Sequence, residues 1–254
     1  MTAPPDSSCL TQKSGSQPTL HVDEFSTSLS GGVGNANSKY LGYAYGSVSA
    51  SCETFEGASA TILAQSCVVP VEDGQVSAWV GLQNKTAHLV NLTSRWAQAG
   101  FVKQSGLDLA TYFEYCPESD MMVDGLPDKY SGILIQQRPA FAGSTYTCSV
   151  ERDENDEVKL VASPIEETPF PWSELLQHGG LITASWTGEV SNDDTEGMPG
   201  TNVTNGRCKF SAIKYRKPDS SSWHVPAFLY DATPETANGG KRKVGNDGFE
   251  IWRE

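Results

Sequence analysis

The chain has 254 residues, 38% of them hydrophobic and 19% charged, with a formal net charge of -13 and a pI near 4.7. That balance argues against nucleic acid or an anionic membrane surface as partner, since both need a positive face. No apolar run approaches the ~18 residues of a membrane-spanning helix, and the length suffices for a substantial core.

Residues 1–18 are rich in Pro, Ser, Thr and Gln and read as a flexible lead-in, leaving 19–254 as a single domain. The opening "MTAPPDSSCL" lacks the basic start and apolar core of a signal peptide. Met1 fits an added start on a trimmed chain as well as a native cytosolic start. "SLSGGVGNANSKY" (Ser28 to Tyr40) is a Gly/Asn/Ser loop, and Asn37 stands where a dinucleotide fingerprint would need its third glycine.

From Tyr40 the pattern is short strands. "YLGYAYGSVSASC", "GASATILAQSCVV", "GQVSAWVGLQ", "SRWAQAGFVKQ" and "ATYFEYCPE" come first; "YSGILIQQRP", "STYTCSVERD" and "DEVKLVASP" follow. "DENDE" (Asp153 to Glu157) reads as a solvated hairpin tip rather than a calcium loop, because EF-hand spacing is missing. One helical turn is predicted at Trp172 to Gln177, then "ITASWTGEV" (Ile182 to Val190), "CKFSAIKYRK", "SWHVPAFLYD" and "GFEIWRE". Period-2 alternation with turn signals every 8–15 residues, and little helical periodicity, points to an all-β antiparallel double-sheet sandwich or barrel.

The six cysteines form no C-x-x-C pair and the four histidines are scattered, which argues against a structural zinc site. The even count permits three disulfides in any of 15 connectivities. Asn84, Asn91 and Asn202 each begin an N-glycosylation triplet, and with the cysteines they lean the reading toward a secreted, extracellular glycoprotein. No G-x-S-x-G, H-E-x-x-H or D-[TS]-G motif is present. "QHGGL" (Gln177 to Leu181) is a glycine turn.

Four segments in order carry a resemblance. "SAWVGL" (Ser77 to Leu82), "WAQAG" with Gln98, "YFEYCP" (Tyr112 to Pro117) and "ASWTGE" with Glu189 resemble the W-V-G, Q-x-G, aromatic-Glu-aromatic-x-Pro and W-x-x-E segments of the glutamic peptidases, the eqolisin family. The wider frame, from Gly57 to Tyr215 with a looser tail to Trp252, resembles neprosins, although Gln98 stands where those enzymes carry glutamate. The stretch between Trp79 and Gln98 is longer than the eqolisin hairpin, and residues 1–51 show no match to the eqolisin N-terminal tryptophan segment.

The resemblance implies a lectin-like (concanavalin-like) jelly-roll sandwich with a groove across its concave sheet, and a secreted acid endopeptidase acting on polypeptide with no metal or cofactor. In it Glu189 is base and then acid, and Gln98 the oxyanion partner, with Trp79, Tyr112 and Glu114 lining the groove for substrate. The chemistry is coherent: a carboxylate can take a proton from water and return it to the leaving amine, while a side-chain amide can donate to an oxyanion and orient water. A free glutamate with pKa ~4.3 suits acid conditions. Without the resemblance, Gln98 and Glu189 read as ordinary strand polars, and Trp79, Trp96 and Trp186 read first as core. The competing class is a non-catalytic binding or structural module, carbohydrate-binding or part of an extracellular assembly, since fold does not dictate function.

Overall fold

Period-2 alternation carries most of the chain into strands. The computed structural model describes residues 39–45, 54–70, 74–84, 95–116, 122–123, 126–127, 133–176, 182–190, 197–218, 220–227, 230–231, 239–245 and 247–254. In chain order the strands are β1 (Lys39–Tyr45), β2 (Gly57–Leu63), β3 (Gln75–Asn84), β4 (Arg95–Gln104), β5 (Ala110–Cys116), β6 (Met122–Val123), β7 (Leu126–Pro127) and β8 (Ile133–Pro139). Next come β9 (Thr145–Arg152), β10 (Glu157–Ala162), β11 (Ile165–Pro171), the single helical turn α1 (Trp172–Leu175) and β12 (Ile182–Val190). The last are β13 (Cys208–Arg216), β14 (Trp223–His224), β15 (Tyr230–Asp231), β16 (Gly240–Lys243) and β17 (Phe249–Trp252).

Two antiparallel sheets pack face to face as a β-sandwich. The first runs β15-β1-β12-β3-β4-β5-β8 and the second β11-β10-β9-β2-β13-β17-β16, with β14 against β13. The core lies between them. Val76, Ala78, Val80 and Leu82 of β3 and Ala97, Ala99 and Phe101 of β4 meet Ala58, Ala60 and Ile62 of β2 and Val158 and Leu160 of β10. Many facing positions are alanine, which lets larger groups cross the gap: Trp186 of β12 donates its indole N–H to the Ser59 carbonyl of the other sheet at 3.0 Å. Each large apolar side chain so buried stabilises the fold by roughly 1.5–3 kcal/mol. Gly188, two residues beyond Trp186, also faces inward, and a Cβ there would lie 2.3 Å from Ile251 Cδ1 of β17.

The structure departs from the sequence reading in several places. "SWHVPAFLYD" is not one strand; it splits into β14 and β15, which belong to different sheets, with Pro226 between them unable to donate to a ladder. β11 is not among the strands expected from the sequence; it forms at the sheet edge, where the missing N–H groups of Pro169 and Pro171 are tolerated. β13 breaks strict alternation: its inward residues are Cys208, Phe210, Ile213 and Tyr215. A bulge between Ser211 and Lys214, with Ala212 at φ 50°, absorbs the extra residue.

The three-disulfide reading is corrected as well. Cys67, Cys148 and Cys208 are free thiols, and burial pushes Cys67 and Cys148 up to about 12 and Cys208 well above its usual value. Cys9 and Cys52, the 1–18 lead-in, the loop from Ser28, Asn91 and the Gln177–Leu181 turn lie outside the described residues. So does the Cys116 side chain. The "DENDE" segment is a hairpin tip in which the Asp153 carboxylate accepts from the backbone N–H groups of Asn155 and Glu157, at 2.8 and 2.9 Å.

Candidate active site

Residues directly opposite one another in antiparallel strands project to the same face. Across β12, β3, β4 and β5 the register pairs Glu189 with Ser77, Thr187 with Trp79, Trp79 with Gly100, Gly81 with Gln98, Gln98 with Glu114, and Gly100 with Tyr112. All five residues singled out from the sequence, Trp79, Gln98, Tyr112, Glu114 and Glu189, therefore stand on one face of the first sheet, the face turned away from the core. Trp96 joins them, while Trp186 alone of the three tryptophans belongs to the core between the sheets.

Two clusters occupy this face. In one, Trp79 donates its indole N–H to Glu189 Oε2 at 3.1 Å. The indole has room because position 81 is glycine; a Cβ there would stand 2.9 Å from Trp79 Cζ3. Gly100 allows the neighbouring approach of strands, since a Cβ would lie 2.0 Å from the Ala78 carbonyl oxygen. In the other cluster Gln98 Nε2 donates to Glu114 Oε2 at 2.7 Å and to the Tyr112 hydroxyl at 3.1 Å.

Gln98 and Glu189 do not touch. They are two strands apart, and their partners on β3, Gly81 and Ser77, are four residues apart. At ~4.8 Å per strand and ~3.3 Å per residue the Cα atoms are about 16 Å apart. Trp79 reaches into that interval from the Glu189 side.

The electrostatics follow from burial. Gln98, Tyr112 and Glu114 are 0% exposed and Glu189 2%. Burial raises Glu114 to about 8, against the opposing pull of the hydrogen bond from Gln98. Below that pH it is a neutral acid. Tyr112 is pushed well above its usual value by burial, and by the charges of Glu114 and Glu189. The polar layer is under-satisfied: Gln98 Oε1, Glu114 Oε1, Thr187 Oγ1 and Trp96 Nε1 are buried with no hydrogen-bond partner among the described residues. Such atoms are uncommon in native interiors and are suited to meet a ligand or water.

The expected open groove is thus not what the structure holds, because the polar face is covered. Every residue of β3 and of β12 is buried. Thr187 and Trp96 were not assigned to the site from sequence. The alternation of Thr183, Ser185, Thr187 and Glu189 on β12 was the available signal for Thr187, and "WAQ" for Trp96.

A separate concavity of about 630 Å³ lies by β9, β10 and β13. Its charges pair with one another, Arg152 with Glu56 and with Asp156 at 2.6 Å each, and Arg216 with Glu151 at 3.1 Å. It is remote from the polar face.

Among solved structures, the chain is similar to scytalido-glutamic peptidase with a peptide-based transition-state analog, at 13% identity and TM-score 0.51, over 85% of this chain and 98% of that one. It is similar to the same peptidase with a transition-state analog inhibitor at 12% identity and TM-score 0.50, with the same coverage. This chain has the fold of a glutamic peptidase. No family model matches its sequence, and no curated protein does.

Proposed function

We propose that this chain is an acid endopeptidase that hydrolyses polypeptides with water activated by Glu189. The observation that supports the reading is the gathering of Glu189, Trp79, Gln98, Tyr112 and Glu114 on one face of a sandwich whose structural neighbours are glutamic peptidases. Trp79 fixes the orientation of the Glu189 carboxylate. The carboxylate takes a proton from water as the water oxygen attacks the peptide carbonyl, and returns it to the leaving nitrogen as the C–N bond breaks. Gln98 polarises the carbonyl and stabilises the oxyanion. A bound peptide spans the interval between the two residues, which requires the covered face to open to it. Extracellular action belongs to this proposal and rests on the acidic composition and on the exposed triplet at Asn202.

The near-complete burial of Gln98 and Glu189 favours one competitor, a non-catalytic module in which the polar layer is structural. Digestion of an unfolded protein substrate at pH 3–5 separates the two. Cleavage that Glu189→Gln abolishes supports the peptidase; cleavage absent from the parent chain, or unchanged in Glu189→Gln, refutes it.

A further inference from the structure

We propose that Glu114 is a positioning acid that sets which end of the Gln98 amide faces the substrate: protonated, it turns Nε2 outward; ionised, it holds Nε2 to itself. The inference rests on the peptidase reading above and concerns how that site is regulated. In the arrangement described, both N–H groups of Gln98 are engaged, one by Glu114 Oε2 at 2.7 Å and one by the Tyr112 hydroxyl at 3.1 Å. The atom left with no partner among the described residues is Oε1, an acceptor. A glutamine so held can orient water but has no hydrogen to give an oxyanion.

A carboxylic acid at position 114 reverses this. It carries one O–H donor, and the acceptor beside it is the Gln98 carbonyl once the amide turns through half a revolution. Glu114 O–H then donates to Gln98 Oε1, and Nε2 moves to the place Oε1 held, with its hydrogens available. Tyr112 serves both arrangements, because a phenol hydroxyl accepts in one and donates in the other. The 3.1 Å contact survives the exchange with its direction reversed. Which end of an amide faces which neighbour is set by that network of donors and acceptors, so changing one member changes the answer.

The surroundings favour the acid form. Among the described residues the ionisable groups that act on Tyr112 are Glu114, Glu189 and Cys148, and none supplies positive charge. β4 presents Gln98 to Glu114, and β8 places Leu134 opposite it. Burial lifts the carboxyl to about 8 despite the opposing hydrogen bond from Gln98. The donor-outward arrangement therefore holds throughout the acid range and is lost as pH rises through that value.

The test reads the amide directly. Protein labelled with ¹⁵N at glutamine side chains gives Gln98 resonances, assigned with Gln98→Asn, that are followed from pH 5 to 9.5. The expected result is a shift with a midpoint near 8 that disappears in Glu114→Gln, which cannot ionise. An unmoving signal, or a transition that survives Glu114→Gln, overturns the proposal whether or not the chain cleaves peptides. For the kinetics, Glu114→Ala lowers kcat by roughly 10²-fold with little change in KM, the size expected for a lost oxyanion donor. Glu114→Gln loses less than Glu114→Ala and flattens the rate between pH 7 and 9. Equal losses in the two variants, both folded by circular dichroism, also overturn it. A titrating Gln98 signal without any proteolysis keeps the amide switch and removes the peptidase reading.

Discussion

Replacing Trp79 by phenylalanine removes one donor and leaves most of the ring. The indole is fully buried, and its N–H meets Glu189 Oε2 at 3.1 Å. A hydrogen bond to a charged group contributes about 1.5–3 kcal/mol. If the bond orients Glu189 for catalysis, that loss enters the barrier as roughly a 10- to 150-fold fall in kcat/KM. The smaller ring also costs stability, about 1–3 kcal/mol for an imperfectly refilled site. Trp186→Phe is the matched control: it too is fully buried and loses an indole hydrogen bond, to Ser59 O at 3.0 Å, but on the core side. Initial rates on an unfolded protein substrate near pH 4, beside thermal unfolding of each variant, distinguish the two effects. Equal stability losses with an activity loss confined to Trp79→Phe are expected. If the two variants lose activity in step with stability, or if Trp79→Phe cleaves as fast as the parent, the assignment of Trp79 to Glu189 is refuted.

Gly81→Ala pushes a methyl group to 2.9 Å from the Trp79 ring and should depress kcat/KM more than melting temperature, whereas Gly100→Ala meets a backbone oxygen at 2.0 Å and should show mainly as lost stability, about 1–3 kcal/mol by chemical denaturation. The folded Glu114 carboxyl is raised from 4.5 to about 8, so the folded state holds the proton longer than the unfolded chain. That contribution is complete below about pH 4.5 and is lost as pH rises to about 8. Melting temperature should fall across that window and level off above it, with a smaller fall in Glu114→Gln. If the chain passes through a secretory pathway, Asn202, exposed in its turn, should carry a glycan removable by an endoglycosidase and absent in Asn202→Gln. Asn84 should stay bare, because it is fully buried and its Nδ2 already donates to Leu175 O at 2.6 Å.

Alternation was enough to place β12 at Ile182–Val190, residue for residue, and to recover β3 and β4 nearly so. It could not say which face of a strand meets the core when both faces are buried. Trp79 and Trp186 look alike in sequence, each an aromatic at every second position, yet one bonds a carboxylate and the other a carbonyl across the sandwich. β11 has no counterpart among the strands expected from the sequence, and the edge position that makes its Pro169 and Pro171 tolerable is a property of the sheet and not of the segment. The bulge at Ala212 was hidden for the same reason. The pairing of Gln98 with Glu114 depends on the β4–β5 register, and the lifted pKa of Glu114 on burial. Neither is written in local composition.

Gly188 joins the two ends of the molecule's chemistry. It sits one residue before Glu189 and faces the opposite way, pressed so near Ile251 that a single added carbon would collide at 2.3 Å. The final strand therefore serves as a backstop for β12: the depth at which Glu189 stands on its own face is set from behind, by a side chain three residues from the end of the chain. Thickening position 188 or thinning position 251 would tilt the carboxylate without touching any group on the polar face.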